Sequence, residues 1–193
     1  AYDILHESMA FLARESDNID EYVEYALKVG NANFAAMEAL DHGHVGKYGH
    51  PEPTKVRVSP VAGKCILVSG HDLHDLEAIL QQTVGKGINV YTHGELLPAN
   101  AYPELKKYPH LVGNFGGAWH EQKVEFSRFP GAIVLTSNCL IEPQVAYQER
   151  IFSTNAVGWS GVKHIIGQDF SPVISAALTA NGFTHDAPEK FIT

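Results

Sequence analysis

Lys64-Cys65-Ile66-Leu67-Val68-Ser69-Gly70-His71-Asp72-Leu73 joins an apolar run to a glycine and then to a helix start. Cys65 to Ser69 has no polar alternation, so it reads as a strand buried on both faces rather than on one. Gly70 allows a tight exit, and Asp72 is a good N-cap for a helix expected from about Asp72 to Gln82. The same texture continues towards the C-terminus. Ile88-Asn89-Val90-Tyr91 is a second strand, Leu111-Val112-Gly113-Asn114 a third, and Ala132-Ile133-Val134-Leu135-Thr136 a fourth. Ala118 to Arg128 suits a helix between the last two. Ile151-Phe152-Ser153 and Val162-Lys163-His164-Ile165 are weaker strands, and a final helix is expected from an N-cap at Ser171, with Pro172 next, to Asn181-Gly182. Strands alternating with helices imply a parallel sheet with both faces covered. The expected fold is α/β, a Rossmann-like three-layer domain over residues 61–193.

Towards the N-terminus the texture changes near residue 60. Ile4, Leu5, Ala10, Phe11 and Leu12 recur at helical spacing, Asp20 opens a second run through Leu27, and Ala32 to Leu40 reads as a third run after Gly30. Tyr48-Gly49-His50-Pro51-Glu52-Pro53-Thr54 is then an extended connector, because Pro51 and Pro53 forbid a helix. Residues 1–60 are therefore expected to be a short all-helical segment. Tyr102-Pro103-Glu104-Leu105-Lys106-Lys107-Tyr108-Pro109 reads as a short solvated helix rather than a basic partner patch.

The 193 residues carry 14 basic and 22 acidic side chains, a net charge of −8. Such a balance argues against nucleic acid or an anionic membrane as a main partner. Apolar residues make up 45% and charged residues 19%, which is the mixture of a globular chain with a sizeable core. No apolar run is long enough for a membrane span, and no signal peptide is visible. Cys65 and Cys139 are the two cysteines, too few for a disulfide scaffold, so a reducing cytoplasm is the expected location.

In parallel α/β sheets ligands bind beyond the carboxyl ends of the strands. Strand one is followed by Ser69-Gly70-His71-Asp72, strand two by Thr92-His93-Gly94-Glu95, strand three by Asn114-Phe115-Gly116-Gly117 and strand four by Ser137-Asn138-Cys139. One sheet edge thus gathers His71, His93, Glu95 and Cys139. Each also has an ordinary reading. His71 can serve the cap of the next helix, Glu95 can sit in a helical first turn, and Cys139 can be an inert buried thiol. His93 reads as an orienting or structural group, and Cys65 as core. Together the set favours a metal or redox site.

One imidazole, one carboxylate and one thiolate suit zinc with an open position, or iron with both sulfur and oxygen ligands. No HExxH or CxxC spacing supports zinc, and the Asn114-Phe115-Gly116-Gly117 loop lacks the pattern of a phosphate cradle.

Longer blocks carry a family likeness. Gly63 to Leu73 and Gly87-Ile88-Asn89-Val90-Tyr91-Thr92-His93-Gly94-Glu95-Leu96-Leu97-Pro98 resemble the hybrid-cluster proteins, also called hydroxylamine reductases or prismane proteins. So do Tyr102 to Leu105, Tyr108 to Asn114, Gly116-Gly117-Ala118-Trp119, Thr136-Ser137-Asn138-Cys139 and Tyr48 to Thr54. The resemblance implies a hybrid iron–sulfur–oxygen cluster bound by one His, two Glu and four Cys. Its motifs place His71, Glu95 and Cys139 among those ligands; His93 is a second-layer or proton-relay candidate only by its position two residues before Glu95. The family's other cysteine ligands and second glutamate come later than the blocks matched here. Its conventional N-terminal cluster needs four close cysteines that this sequence does not contain.

The chain therefore reads as a central segment, the tail of a helical domain followed by the cluster-ligand domain. Excision from a longer parent and natural truncation are both open, with Ala1 and the intact blocks favouring excision. By this resemblance the parent reduces hydroxylamine to ammonia and water, with nitric oxide reduction and protein S-nitrosylation also associated with the family. The expected partners are the remaining domains of the parent and an electron-donor protein. The segment alone is expected to fold, to bind no cluster and to be inactive. Two other classes stand beside this reading: a mononuclear zinc site in a hydrolase or sensor, and a non-catalytic docking module.

Overall fold

The computed structural model describes residues 2–193. Two compact units divide it, Ala1–Gly49 and His50–Thr193. The first unit is helical. Helix α1 spans Tyr2–Ala13 and α2 spans Ile19–Tyr48. Asn18 caps α2 by accepting the Asp20 N–H at 3.0 Å, and Asp20 and Glu21 place negative charge on the first turn. Buried Phe11 stacks on Tyr25 with ring centroids 4.2 Å apart and meets Tyr22 edge-on at 4.8 Å, which joins the two helices.

The break expected at Gly30 does not occur, and α2 continues through Gly43 and Gly46 to Tyr48. A glycine costs a helix about 1 kcal/mol, which slows but does not stop a helix of this length. The stop comes at Gly49, whose φ of 81° turns the chain while its N–H still reaches the Val45 carbonyl at 3.0 Å. Among the described residues, no helix is long and apolar enough to cross a membrane. Leu5, Met9, Leu12, Phe34, Met37 and Leu40 of this unit are exposed.

The second unit is built on a six-stranded sheet. Its strands are β2 (Lys64–Ser69), β3 (Ile88–His93), β4 (Leu111–Asn114), β5 (Ala132–Leu135), β6 (Ile151–Ser153) and β7 (Lys163–His164). β1 (Val56–Arg57) instead pairs with β8 (Phe191–Ile192) as a separate antiparallel ribbon. Helices α3 (Leu73–Thr83), α4 (Pro103–Lys106), α5 (Gln122–Arg128) and α6 (Ser171–Thr179) complete the unit. The sheet order is β4-β3-β2-β5-β6-β7, and every pairing is parallel. Chain order runs outward from β2 on one side and from β5 on the other, so the topology reverses between them. This is the α/β, Rossmann-like arrangement that the strand–helix alternation predicts, and its ligand crevice lies beyond the ends of β2 and β5.

Packing follows from the apolar strands. Cys65, Leu67, Ile133, Leu135 and Ile151 on one face bury with Tyr91, Phe126, Phe129 and Tyr147. Ile66, Val68, Val134 and Phe152 alternate to the other face and are equally buried, and α6 packs against β2 and β5. Full burial of each such side chain contributes about 1.5–3 kcal/mol, which holds the strand ends as a fixed edge.

Several boundaries differ from the sequence expectation; the helix expected over Ala118 to Arg128 opens as a 3₁₀ turn, Trp119–Glu121, before α5. β3 runs two residues further, so Thr92 and His93 lie inside the strand rather than in the following loop. The segment after it is a 3₁₀ helix, Gly94–Ala101. Helix α6 has Ser171 as its first residue rather than its cap, and Asp169 accepts the Ser171 N–H at 3.0 Å.

Candidate metal centre

The loops after β2, β3 and β5 meet at the carboxyl edge of the sheet. β2 lies between β3 and β5, so His71, Glu95 and Cys139 follow three adjacent strands. Their donor atoms all lie within 4.8 Å of one another. His71 Nε2 is 2.7 Å from Glu95 Oε2, and Cys139 Sγ is 3.7 Å from the same oxygen. The first two side chains are about half exposed, at 47% and 53%, while Cys139 is buried. An imidazole, a carboxylate and a thiol thus converge from the open side of the edge.

The local backbone explains the convergence. Asp72 Oδ1 accepts the N–H groups of His74 and Asp75 at 2.8 and 3.0 Å, so Asp72 is the cap of α3 and His71 is released for another role. Gly70 has φ of +119°, and a Cβ there would overlap Thr136 Oγ1 and lie 2.8 Å from the Ser137 nitrogen. Only glycine lets the His71 loop lie against the Cys139 loop. Ser137 then fixes His71 twice. Its hydroxyl accepts the His71 backbone N–H at 2.8 Å and lies 2.9 Å from the ring Nδ1. Nε2, 2.7 Å from Glu95 Oε2, donates to that carboxylate in this geometry, while the tautomer with Nδ1–H donating to Ser137 would leave the Nε2 lone pair to a metal.

Cys139 is set by its main chain. Its N–H donates to the Ser137 carbonyl at 2.6 Å, and its carbonyl accepts Gln122 Nε2 at 2.6 Å. Burial, followed by the adjacent Glu95 carboxylate, pushes the thiol up to about 11. A positive metal would reverse that preference, because a coordinating thiol is deprotonated outright. The three donors therefore fit a metal group as a mixed hard and soft set, with more coordination positions than they fill themselves.

His93 does not reach this group. It is fully buried, its Nδ1 lies 3.0 Å from Ser69 Oγ, and its Nε2 lies 2.7 Å from Glu125 Oε2. Burial holds it below the ordinary imidazole range, and the Glu125 carboxylate opposes that shift. Glu125 Oε1 also accepts the Gly117 N–H at 2.7 Å, so the β4 loop is tied to the end of β3. Cys65 is buried at the amino-terminal end of β2, away from this edge, where burial raises its thiol to about 12, as expected of a core residue.

Glu125, Gln122 and Ser137 carry this arrangement, and sequence reasoning assigned none of them a role. Ser137 sits inside the Ser-Asn-Cys block and was within reach. Gln122 and Glu125 lie on helix-type sequence with no signal of their own.

Residues 1–191 match the family described as Prismane/CO dehydrogenase family. The chain belongs to that family, in its hybrid-cluster branch, whose full-length proteins are metalloproteins of oxidoreductase type with an iron–sulfur hybrid cluster.

Proposed function

From this membership we propose that the chain supplies His71, Glu95 and Cys139 as ligands to the hybrid iron–sulfur–oxygen cluster of a hydroxylamine reductase. The observation that carries the reading is the convergence of these three donor atoms from three adjacent strand ends. When bound, the cluster would supply an open iron and two electrons, for the net change NH2OH + 2H⁺ + 2e⁻ → NH3 + H2O.

The chain's own residues perform narrower tasks. Ser137 holds the His71 ring so that Nε2 faces Glu95. Glu95, half exposed on a 3₁₀ turn, offers a carboxylate oxygen able to change partners between His71, Cys139 and a metal. Cys139 loses its proton on binding. His93, held between Ser69 and Glu125, orients the strand that leads to Glu95. The proposed partners are an electron-donor protein and the remaining domains of the parent chain, for which the exposed apolar side chains of α1 and α2 are a suitable surface.

The test is anaerobic expression of the parent with His71→Ala, Glu95→Gln and Cys139→Ser. Each variant is expected to lose iron, cluster absorption in the visible and hydroxylamine reduction with a chemical electron donor. Full iron content and turnover in all three would overturn the assignment. One equivalent of zinc without sulfide in the parent would favour the mononuclear zinc reading instead.

A further inference from the structure

β6 ends at Ser153, and two residues later the chain turns through Asn155 with φ of 55°, a left-handed conformation for a non-glycine residue. Asparagine enters that region more readily than most side chains, so the turn alone does not explain where the amide points. Its Nδ2 lies 3.0 Å from the Thr136 carbonyl, 3.0 Å from Asp75 Oδ2, 3.1 Å from Asp72 Oδ2 and 3.2 Å from Thr154 Oγ1.

These acceptors are not a random set. Asp72 follows His71 and caps α3, while Thr136 leads through Ser137 and Asn138 to Cys139. Thr136 Oγ1 also accepts the Asp72 N–H at 3.2 Å, from the other side of the same junction. Asp75 is buried, and its second oxygen accepts Gln168 Nε2 at 3.2 Å. One amide nitrogen thus closes the seam between the loop carrying His71 and the loop carrying Cys139, while touching neither side chain.

We infer that Asn155 is a positioning residue for the metal half-site, holding the His71 and Cys139 loops in register from β6. The inference rests on the reading of His71 and Cys139 as ligands, and the test separates the two. Asn155→Gly keeps the left-handed turn and removes the amide. Asn155→Asp keeps the shape and turns a donor towards two carboxylates into a third carboxylate.

The first measurement is alkylation of the metal-free chain by iodoacetamide, resolved at each cysteine by mass spectrometry. Both variants are expected to raise the Cys139 rate at least fivefold and to leave fully buried Cys65 unchanged, with near-native circular dichroism. Unchanged Cys139, or Cys139 and Cys65 rising together as in general loosening, would overturn the positioning role. The second measurement titrates Co(II) alone and follows the thiolate-to-cobalt absorption. At least tenfold weaker binding in both variants supports the role, and equal affinity overturns it. Failure of the unaltered chain to bind Co(II) counts against the ligand reading, and the alkylation result then decides the positioning role by itself.

Discussion

The Ser137 hydroxyl and His71 are joined at two points, the backbone N–H at 2.8 Å and ring Nδ1 at 2.9 Å, although they come from different strand ends. The Cys139 loop therefore dictates how the imidazole of the His71 loop is presented. Ser137→Ala should leave the fold standing at a cost of about 1–2 kcal/mol and weaken Co(II) binding about tenfold or more. A thermal melt and a competition titration measure the two effects, and unchanged affinity would show that the serine does not orient the ring.

Glu95 adds to the effect of burial on the protonation of Cys139. Burial and the carboxylate together raise the thiol to about 11. Glu95→Gln removes the charge, so the thiol should fall towards its ordinary value and more thiolate should be present at pH 8. Alkylation of Cys139 at that pH is expected to accelerate several-fold, with Cys65 silent. A slower or equal rate would mean that burial alone sets the thiol.

At Gly70, backbone and neighbour act in the same direction. Gly70→Ala would combine a φ of +119° with an overlap of the new Cβ and Thr136 Oγ1. A loss of about 3 kcal/mol or more in urea unfolding is expected, larger than any surface substitution should give. A loss under about 1 kcal/mol would show that the two loops separate easily.

His93 makes stability depend on pH. Its folded value lies below the ordinary imidazole value of about 6.5, so the unfolded chain takes up a proton that the folded chain refuses. Stability from this group is complete above about pH 6.5 and declines as pH falls, by at most about 1.4 kcal/mol per unit. His93→Gln, whose amide can still donate to Glu125, should flatten the decline between pH 7 and 5 in denaturant titrations. Parallel curves for the two proteins would refute it.

The strand ends were legible because a continuous apolar run such as Cys65 to Ser69 announces both its burial and its exit. Leu111 to Asn114 and Ile151 to Ser153 likewise begin and end where the pattern places them. Strand order was not legible, since the pairing of β2 with both β3 and β5 is decided by side chains from distant segments burying together. The ribbon of β1 and β8 has two residues in each strand, too short for any periodicity. Gly30 does not break α2, because local propensity is weak beside the cooperativity of a long helix. The donors His71, Glu95 and Cys139 could be picked out by chemical type at strand ends. Asn155, Gln122 and Glu125 could not, because each acts through residues remote in sequence, and asparagine, glutamine and glutamate are ordinary surface residues elsewhere.

The reversal of topology between β2 and β5 also joins in space donors that lie far apart in the chain. β2, α3 and β3 can form as a local unit and bring His71 near Glu95, but Cys139 joins them only after β5 docks beside β2. A nascent chain that has not yet made β5 presents an imidazole and a carboxylate without sulfur. The three donor atoms therefore meet only in a sheet whose centre has closed.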